Sequence, residues 1–366
     1  MSIPFVPQLA ALPVYQPGRP IEEVARELGL DPDSVIKLAS NENPLGPSRL
    51  AVRALREAAS TVHLYPDGSA FHLKNKLAAK LGVTPGHLIL GNGSNEVIEM
   101  LGHALLSPDA EVVVSQYCFA VYPIVTALFG ARLVTVPAKK YGHDLDAMLA
   151  AITPRTRIVF VANPNNPTGT TVPREALANF VAAIPPGVVL ALDEAYLEFL
   201  EEPLDLVPEI RAGTRPNILL MRTFSKIYGL AGLRLGYGIG HPDLVAALEK
   251  IRQPFNINLP AQAAAMAALD DTAHVEKTRR INSRGLRFYA REFRRRKLEF
   301  VKSSGNFILV RVGEDQKVFQ ELQKLGVIVR PMGGYQLPEW IRISVGTPKE
   351  NTRCIEALDR VLPPAA

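Results

Sequence analysis

Two cations stand where the chain otherwise reads as core. Lys226 and Arg234 lie in "TFSKIYGLAGLRLGYGIG", Thr223 to Gly240, an apolar and glycine-rich run without one acid. Lysine is among the residues least often fully buried, so the ordinary reading is a side chain that snorkels to water. The chemical reading is an amine in an apolar pocket. There the neutral form is favoured and the nitrogen becomes a nucleophile.

Three other stretches carry chemistry of the same kind. "GNGSNEVIEMLGHALL" follows "HLIL"; Gly91 and Gly93 permit a tight turn, and Ser94 or Asn95 can cap the helix that follows. A glycine turn into a helix N-terminus is an anion site. It is only half of a dinucleotide fingerprint, since Glu96 stands where the last glycine would be. "NPNNPTG", Asn163 to Gly169, is either a plain turn or a rigid loop offering side-chain amides. In "DEAY", Asp193 ends an apolar run with Tyr196 three residues on. A carboxylate there is an N-cap, or is costly unless paired. Together these groups suit a ligand with a phosphate, a cationic ring nitrogen, a hydrogen-bonding oxygen and an aldehyde.

The elements that must position these groups follow from periodicity. Short apolar runs recur at 87–90, 111–115, 132–136, 157–162, 188–193, 217–222 and 235–240. Continuous apolarity predicts strands buried on both faces. Helical patterns at 94–106, 119–129, 145–151 and 173–183 lie between most of them. The expectation is an α/β fold: a mostly parallel seven-stranded sheet with helices on both faces. The chemical residues fall just after strands, where such sheets bind ligands. A long charged helix over 272–297 then leads to "NFILVRV", a helix over 316–325, "VIVR" and "IRISVG", which reads as a smaller α+β domain. The expected division is an N-terminal arm over 1–45 that packs with the small domain, a large domain over 46–271 and the small domain over 272–366.

Bulk composition narrows the class. The 366 residues are 47% hydrophobic and 21% charged, with net charge +5, and suggest about two domains. The start lacks a basic n-region and a continuous apolar h-region, so no signal peptide is expected. No apolar run approaches the ~20 residues of a membrane helix. Cys118 and Cys354 are too few for a disulfide framework, which favours a reducing, cytoplasmic setting. Both read as small buried hydrophobes. The densest basic run, "REFRRRK", reads as a solvated helix face rather than a nucleic-acid patch. Seven histidines without H-E-x-x-H spacing give no metal site.

The ordered set "ASNENPLGPS", "YPDG", "GNGSNE", "NPNNPTG", "DEAY" and "TFSKIYGLAGLRLGY" resembles the motifs of fold-type I pyridoxal-phosphate aminotransferases over residues 37–346. "NENPLGPS" and "IRISVGT" bring it nearest to the histidinol-phosphate aminotransferase group. The resemblance implies that Lys226 anchors the cofactor covalently and then acts as general acid–base at the substrate Cα. Asp193 would pair with the protonated ring nitrogen, and Asn166 and Tyr196 would hydrogen-bond the ring oxygen. Gly93, Ser94, Asn95, Thr223, Ser225 and Arg234 would gather around the phosphate. Phe119 would stack on the ring, or serve only as a core aromatic. Tyr65 matches a tyrosine lent to the neighbouring subunit's phosphate, which implies a homodimer with composite sites. One departure is Ile227, where the family commonly has a small residue; a bulky side chain there is expected to reshape the pocket wall.

On the substrate side, the resemblance gives Arg342 the acidic group of the amine. Arg330 and Tyr15 would add a second phosphate contact, and Asn43 would join the substrate site. Arg330 also reads simply as a strand-end surface arginine. Three enzyme readings remain open: transamination between histidinol phosphate and 2-oxoglutarate, transamination of aromatic amino acids, and decarboxylation of a phosphorylated amino acid. A nucleotide- or nucleic-acid-binding module without chemistry is the reading from another class.

Overall fold

The continuous apolar runs become the strands of one sheet. In a computed structural model, which describes residues 3–12 and 14–362, the short β1 (Ile36–Lys37) precedes seven strands. They are β2 (Leu88–Gly91), β3 (Glu111–Ser115), β4 (Arg132–Val136), β5 (Thr156–Ala162), β6 (Val189–Asp193), β7 (Ile218–Thr223) and β8 (Gly236–Gly240). Their order is β2-β8-β7-β6-β5-β3-β4. Successive side chains of a strand point to opposite faces, and the two faces carry separate cores. Val159, Val161, Leu190, Leu192 and Leu220 pack with the helices Phe71–Leu81, Arg174–Ala183 and Leu259–Asp270. Ile158, Phe160, Ala191, Leu219 and Met221 pack with Ser94–Leu105, Val121–Leu128 and Pro242–Glu249. Fully burying each such large apolar side chain contributes about 1.5–3 kcal/mol.

Periodicity could not show that β8 runs antiparallel to both of its neighbours, β2 and β7. A parallel return needs a crossover connection, usually a helix. The segment between β7 and β8 holds only the short 3₁₀ turn Ala231–Leu233. Thr223 therefore faces Gly236 across the ladder, and the lysine-bearing segment leaves and re-enters the sheet at one edge. The other strands run parallel. The ends of β5, β6 and β7 are adjacent, and β8 separates β7 from β2.

The smaller unit is built on the four-stranded antiparallel sheet β12-β13-β10-β9: β9 is Phe300–Val301, β10 Phe307–Arg311, β12 Arg330–Pro331 and β13 Trp340–Ser344. "VIVR" splits in two, because β11 (Val327–Ile328) leaves this sheet to pair in parallel with β1. Tyr289, Phe293, Ile308, Val310, Ile341 and Ile343 form its core with the helices Thr272–Arg295 and Pro348–Val361. The latter is closed by a reciprocal capping box between Thr347 and Glu350. The N-terminal helix Ile21–Leu28 adds Val24 and Ala25 to a cluster with Ile328.

Candidate active site

A cavity of about 390 Å³ opens at the carboxyl edge of the large sheet, where the smaller unit meets it. Its size lies within the usual range for small-molecule sites. Thirteen of the residues expected from sequence line it: Tyr15, Ser94, Asn95, Phe119, Asn166, Asp193, Tyr196, Thr223, Ser225, Lys226, Arg234, Arg330 and Arg342.

Asp193 ends β6 and is buried. Burial pushes its carboxyl above the ordinary value; hydrogen bonds from Tyr122 Oη to Oδ2 (2.6 Å) and from the Ala195 amide to Oδ1 (3.0 Å), with the charge of Lys226, oppose that rise. Lys226 follows β7, donates from Nζ to Ser40 O at 3.3 Å, and lies 5.8 Å from the Tyr196 ring centre. Burial first, and then the Arg342 charge, lower its amine from the ordinary 10.5 to about 8. That leaves a substantial neutral fraction near neutral pH. Tyr196 is buried, accepts from Asn41 Nδ2 at 2.9 Å, and meets Phe307 edge-on.

One corner of the cavity is built for an anion. The helix Ser94–Leu105 begins at Gly93 (φ 78°), with no side-chain cap. Neither Ser94 nor Asn95 caps it, so first-turn amides remain available. A Cβ on Gly93 would lie 2.4 Å from Arg234 Nη2, and one on Gly236 would lie 2.3 Å from the Ser94 amide. Both glycines are thus what bring the guanidinium and the helix start together. Arg234 itself adopts φ 56°, a left-handed conformation costly for a non-glycine residue. Among the described residues it has no carboxylate partner. Thr223 Oγ1 accepts from the Ser225 amide (3.1 Å) and donates to Leu235 O (3.3 Å), so it also shapes the turn.

The other side of the cavity carries two arginines in register, Arg330 on β12 and Arg342 on β13. Like charges directly opposite on a ladder repel. Arg342 donates to Asn166 Oδ1 (2.5 Å) and Ala39 O (2.9 Å), while its buried Nε has no partner among the described residues. Arg330 donates to Gln16 O (2.6 Å) and stands 6.0 Å from the Tyr15 ring centre. Neither arginine has an ion-pair partner among the described residues.

Three expected residues stand elsewhere. Gly93 acts through its missing side chain, outside the cavity lining. Asn43 does not reach the cavity: its Nδ2 donates to Ile227 O (2.8 Å) and Thr278 Oγ1 (3.2 Å), and its Oδ1 accepts from the Leu45 amide (2.9 Å). Tyr65 is 82% exposed and stacks on Phe255. Ile227 does not reshape the pocket wall; it is fully buried in the core of the large unit. Phe119 fits both of its readings, lining the cavity and packing on the core with Tyr122.

The chain belongs to the family described as aminotransferase class I and II, whose model matches residues 33–358. These enzymes work with pyridoxal 5′-phosphate. It is 54% identical over 352 residues to a histidinol-phosphate aminotransferase of Akkermansia muciniphila, covering 96% of both chains. A histidinol-phosphate aminotransferase 2 of Ralstonia nicotianae is 52% identical, covering 99% of this chain and 98% of the relative. In structure it is similar to the histidinol-phosphate aminotransferase of Sinorhizobium meliloti in complex with pyridoxal-5′-phosphate. That match has TM-score 0.88 and 31% identity over 98% of this chain and 97% of the other.

The cavity fits the cofactor on its own terms. Its buried carboxylate, lowered amine, aromatic face and glycine-made anion corner match ring nitrogen, aldehyde, ring and phosphate in turn.

Sequence reasoning missed Tyr122 and Asn41. Tyr122 sits in an apolar helix and is 1% exposed, and nothing in the sequence separates it from a core aromatic. Asn41 holds a left-handed turn (φ 55°) and ties Tyr196 to Ser344. Contacts so distant in sequence leave no local signal. Tyr122 is tested by Tyr122→Phe, which keeps the stack on Phe160 (4.3 Å between centres) and removes one hydrogen bond to a carboxylate. Such a bond is worth about 1.5–3 kcal/mol. The expected result is a kcat loss of roughly 10- to 100-fold with little change in KM. Asp193 loses a group that holds its pKa down, so the acid limb of the kcat profile should move to higher pH. An unmoved limb would remove Tyr122 from the site.

Proposed function

We propose that this aminotransferase moves the amino group of L-histidinol phosphate to 2-oxoglutarate, giving imidazole acetol phosphate and glutamate, within histidine biosynthesis. The observation that carries the reading is the in-register pair Arg330 and Arg342, unneutralised at the cavity wall. Two adjacent guanidiniums suit a substrate phosphate or carboxylate. The similarity to enzymes so named, at about half of all positions, supports the same substrate.

The geometry supports these roles. When bound, pyridoxal phosphate supplies the aldehyde that takes up the amine and the electron sink that acidifies the substrate's α-proton. Lys226 would anchor it and then carry that proton from the substrate Cα to the former aldehyde carbon, for which an amine with a pKa near 8 is suited. Asp193 would keep a negative charge under the ring nitrogen. Asn166, through its Nδ2, and Tyr196 would hydrogen-bond the ring oxygen. Phe119 would cover the ring. Ser94, Asn95, Thr223, Ser225 and Arg234 would hold the phosphate in the corner that Gly93 opens. Arg342 would take the acidic group common to both amino donors, and Arg330 with Tyr15 the phosphate of histidinol phosphate.

The working assembly in this reading is a cytoplasmic homodimer. Val62, Leu64, Tyr65, Phe71 and Phe255 are large, apolar and exposed, as an unburied interface would be, and Tyr65 would complete the partner's phosphate corner. No described helix is long and apolar enough to cross a membrane. The division into 1–45, 46–271 and 272–366 belongs to the same proposal. It is supported by the change of helix at Asp271, which ends one helix and caps the next.

Arg330→Ala tests the substrate. Loss of a charge-assisted contact costs about 1.5–3 kcal/mol, so kcat/KM for histidinol phosphate should fall roughly 10- to 100-fold, while that for tyrosine should barely change. Equal losses would refute the phosphate role. A wild-type preference for tyrosine would make the enzyme an aromatic aminotransferase, and release of carbon dioxide a decarboxylase.

A further inference from the structure

A second cavity, about 900 Å³ in volume, shares no lining residue with the first. It lies between the helix Thr272–Arg295, residues 199–201 and the segment around β9 and β10. Arg279, Ser283, Arg287, Ala290 and Arg294 recur at helical spacing along one wall. Lys302 faces the same space, and Glu201 is the one acid among the described residues that lines it.

Arg279 pairs with Glu276 (3.4 Å) and donates to Glu198 O (2.8 Å), but the other cations are weakly engaged. Arg287 donates only to the Ser283 hydroxyl (2.6 Å), and Arg294 stands over the Phe300 ring at 5.5 Å. Arg287, Arg294 and Lys302 have no ion-pair partner among the described residues. Surface arginines elsewhere on the same helix do: Arg291, Arg295 and Arg296 all reach Glu292. Between the cations lie the apolar surfaces of Phe199, Leu286, Phe300 and Ile308. Asn282 lines the cleft at 6% exposure; its Nδ2 donates to Gly305 O (2.9 Å), and its buried Oδ1 has no partner. A buried acceptor left unpaired is costly.

The geometry points to a binding site for a nucleoside polyphosphate in this cleft. Arg287 and Arg294 are about 10 Å apart along the helix, which suits an extended chain of phosphates rather than one carboxylate. The apolar and aromatic surfaces suit a flat ring. The site is independent of the transamination reading, because it is read by binding and not by turnover.

Calorimetry on the cofactor-loaded enzyme tests it, with ATP as the probe, metal removed by chelation, and tripolyphosphate as the ring-free control. Saturable binding of ATP is expected, tighter than that of tripolyphosphate. Arg287→Glu with Arg294→Glu should weaken it by more than roughly tenfold, with kcat in the absence of ATP unchanged. Arg287→Gln gives a milder version if the double reversal perturbs folding. Absence of saturable binding, binding undiminished in the variants, or tripolyphosphate binding as tightly as ATP would each overturn the proposal.

Discussion

Lys226→Ala should abolish transamination while the fold persists. Turnover is expected to fall by at least about 10²–10⁴-fold, the range attached to a positioned proton-transfer group, and the loaded protein should lose the visible absorbance of the covalently held cofactor. Near wild-type activity would sink the assignment of Lys226. The apo protein offers an independent reading through Lys226→Met. An amine lowered to about 8 in the fold, from 10.5, binds fewer protons than the unfolded chain between those two values. Stability of the wild type therefore rises with pH across that window, and below it the folded state carries the full cost of a partly desolvated ammonium. At 1.36 kcal/mol per unit this is at most about 3 kcal/mol. The methionine variant should melt higher than wild type at pH 7, with the gap closing by about pH 10.5. A gap that does not vary with pH would mean that Lys226 is hydrated rather than desolvated in the fold.

Asp193→Asn should produce the other large loss. The amide preserves shape and can still accept from Tyr122, but it removes the negative charge at the end of β6. Opposite charges 4 Å apart at an effective dielectric constant of 20 interact by about 4 kcal/mol, or roughly three decades of rate. The expected result is a kcat lower by about 10³-fold, weaker retention of cofactor during dialysis, and an apo melting temperature no lower than wild type. The last point follows because burial disfavours the native carboxylate. A kcat within tenfold of wild type would show that Asp193 does not face a cationic ring nitrogen.

What the sequence disclosed follows the range of the interactions involved. Continuous apolarity announces the strands, so β3 and β4 match their predicted bounds and the remaining strands of the large sheet lie within a residue of theirs, although β4, at the sheet edge, is partly exposed rather than buried on both faces. Residues that follow strands were legible because a cation or carboxylate next to such a run has few structural excuses. The direction of β8 was not legible: "GYGIG" offers no alternation, and direction is set by the absence of a crossover helix. Asn43 shows the opposite failure. Its motif was informative, but motif membership does not tell which way a side chain turns, and here it holds the carbonyl of Ile227 from behind. Tyr122 was hidden because a phenol that serves a buried carboxylate is indistinguishable, in sequence, from one that fills a core.

The reversal of β8 also bears on the order in which the site is assembled. Lys226 and Arg234 sit between Thr223 and Gly236, which are close in sequence and paired across a tight antiparallel ladder. The helix start that faces Arg234 comes from the far side of the chain, through the pairing of Gly91 with Gly236. Local pairings incur little loop-closure entropy, whereas distant ones must wait for collapse. The lysine hairpin is therefore able to form as a self-contained unit, and the anion corner is completed only when the first strand of the sheet pairs with its edge.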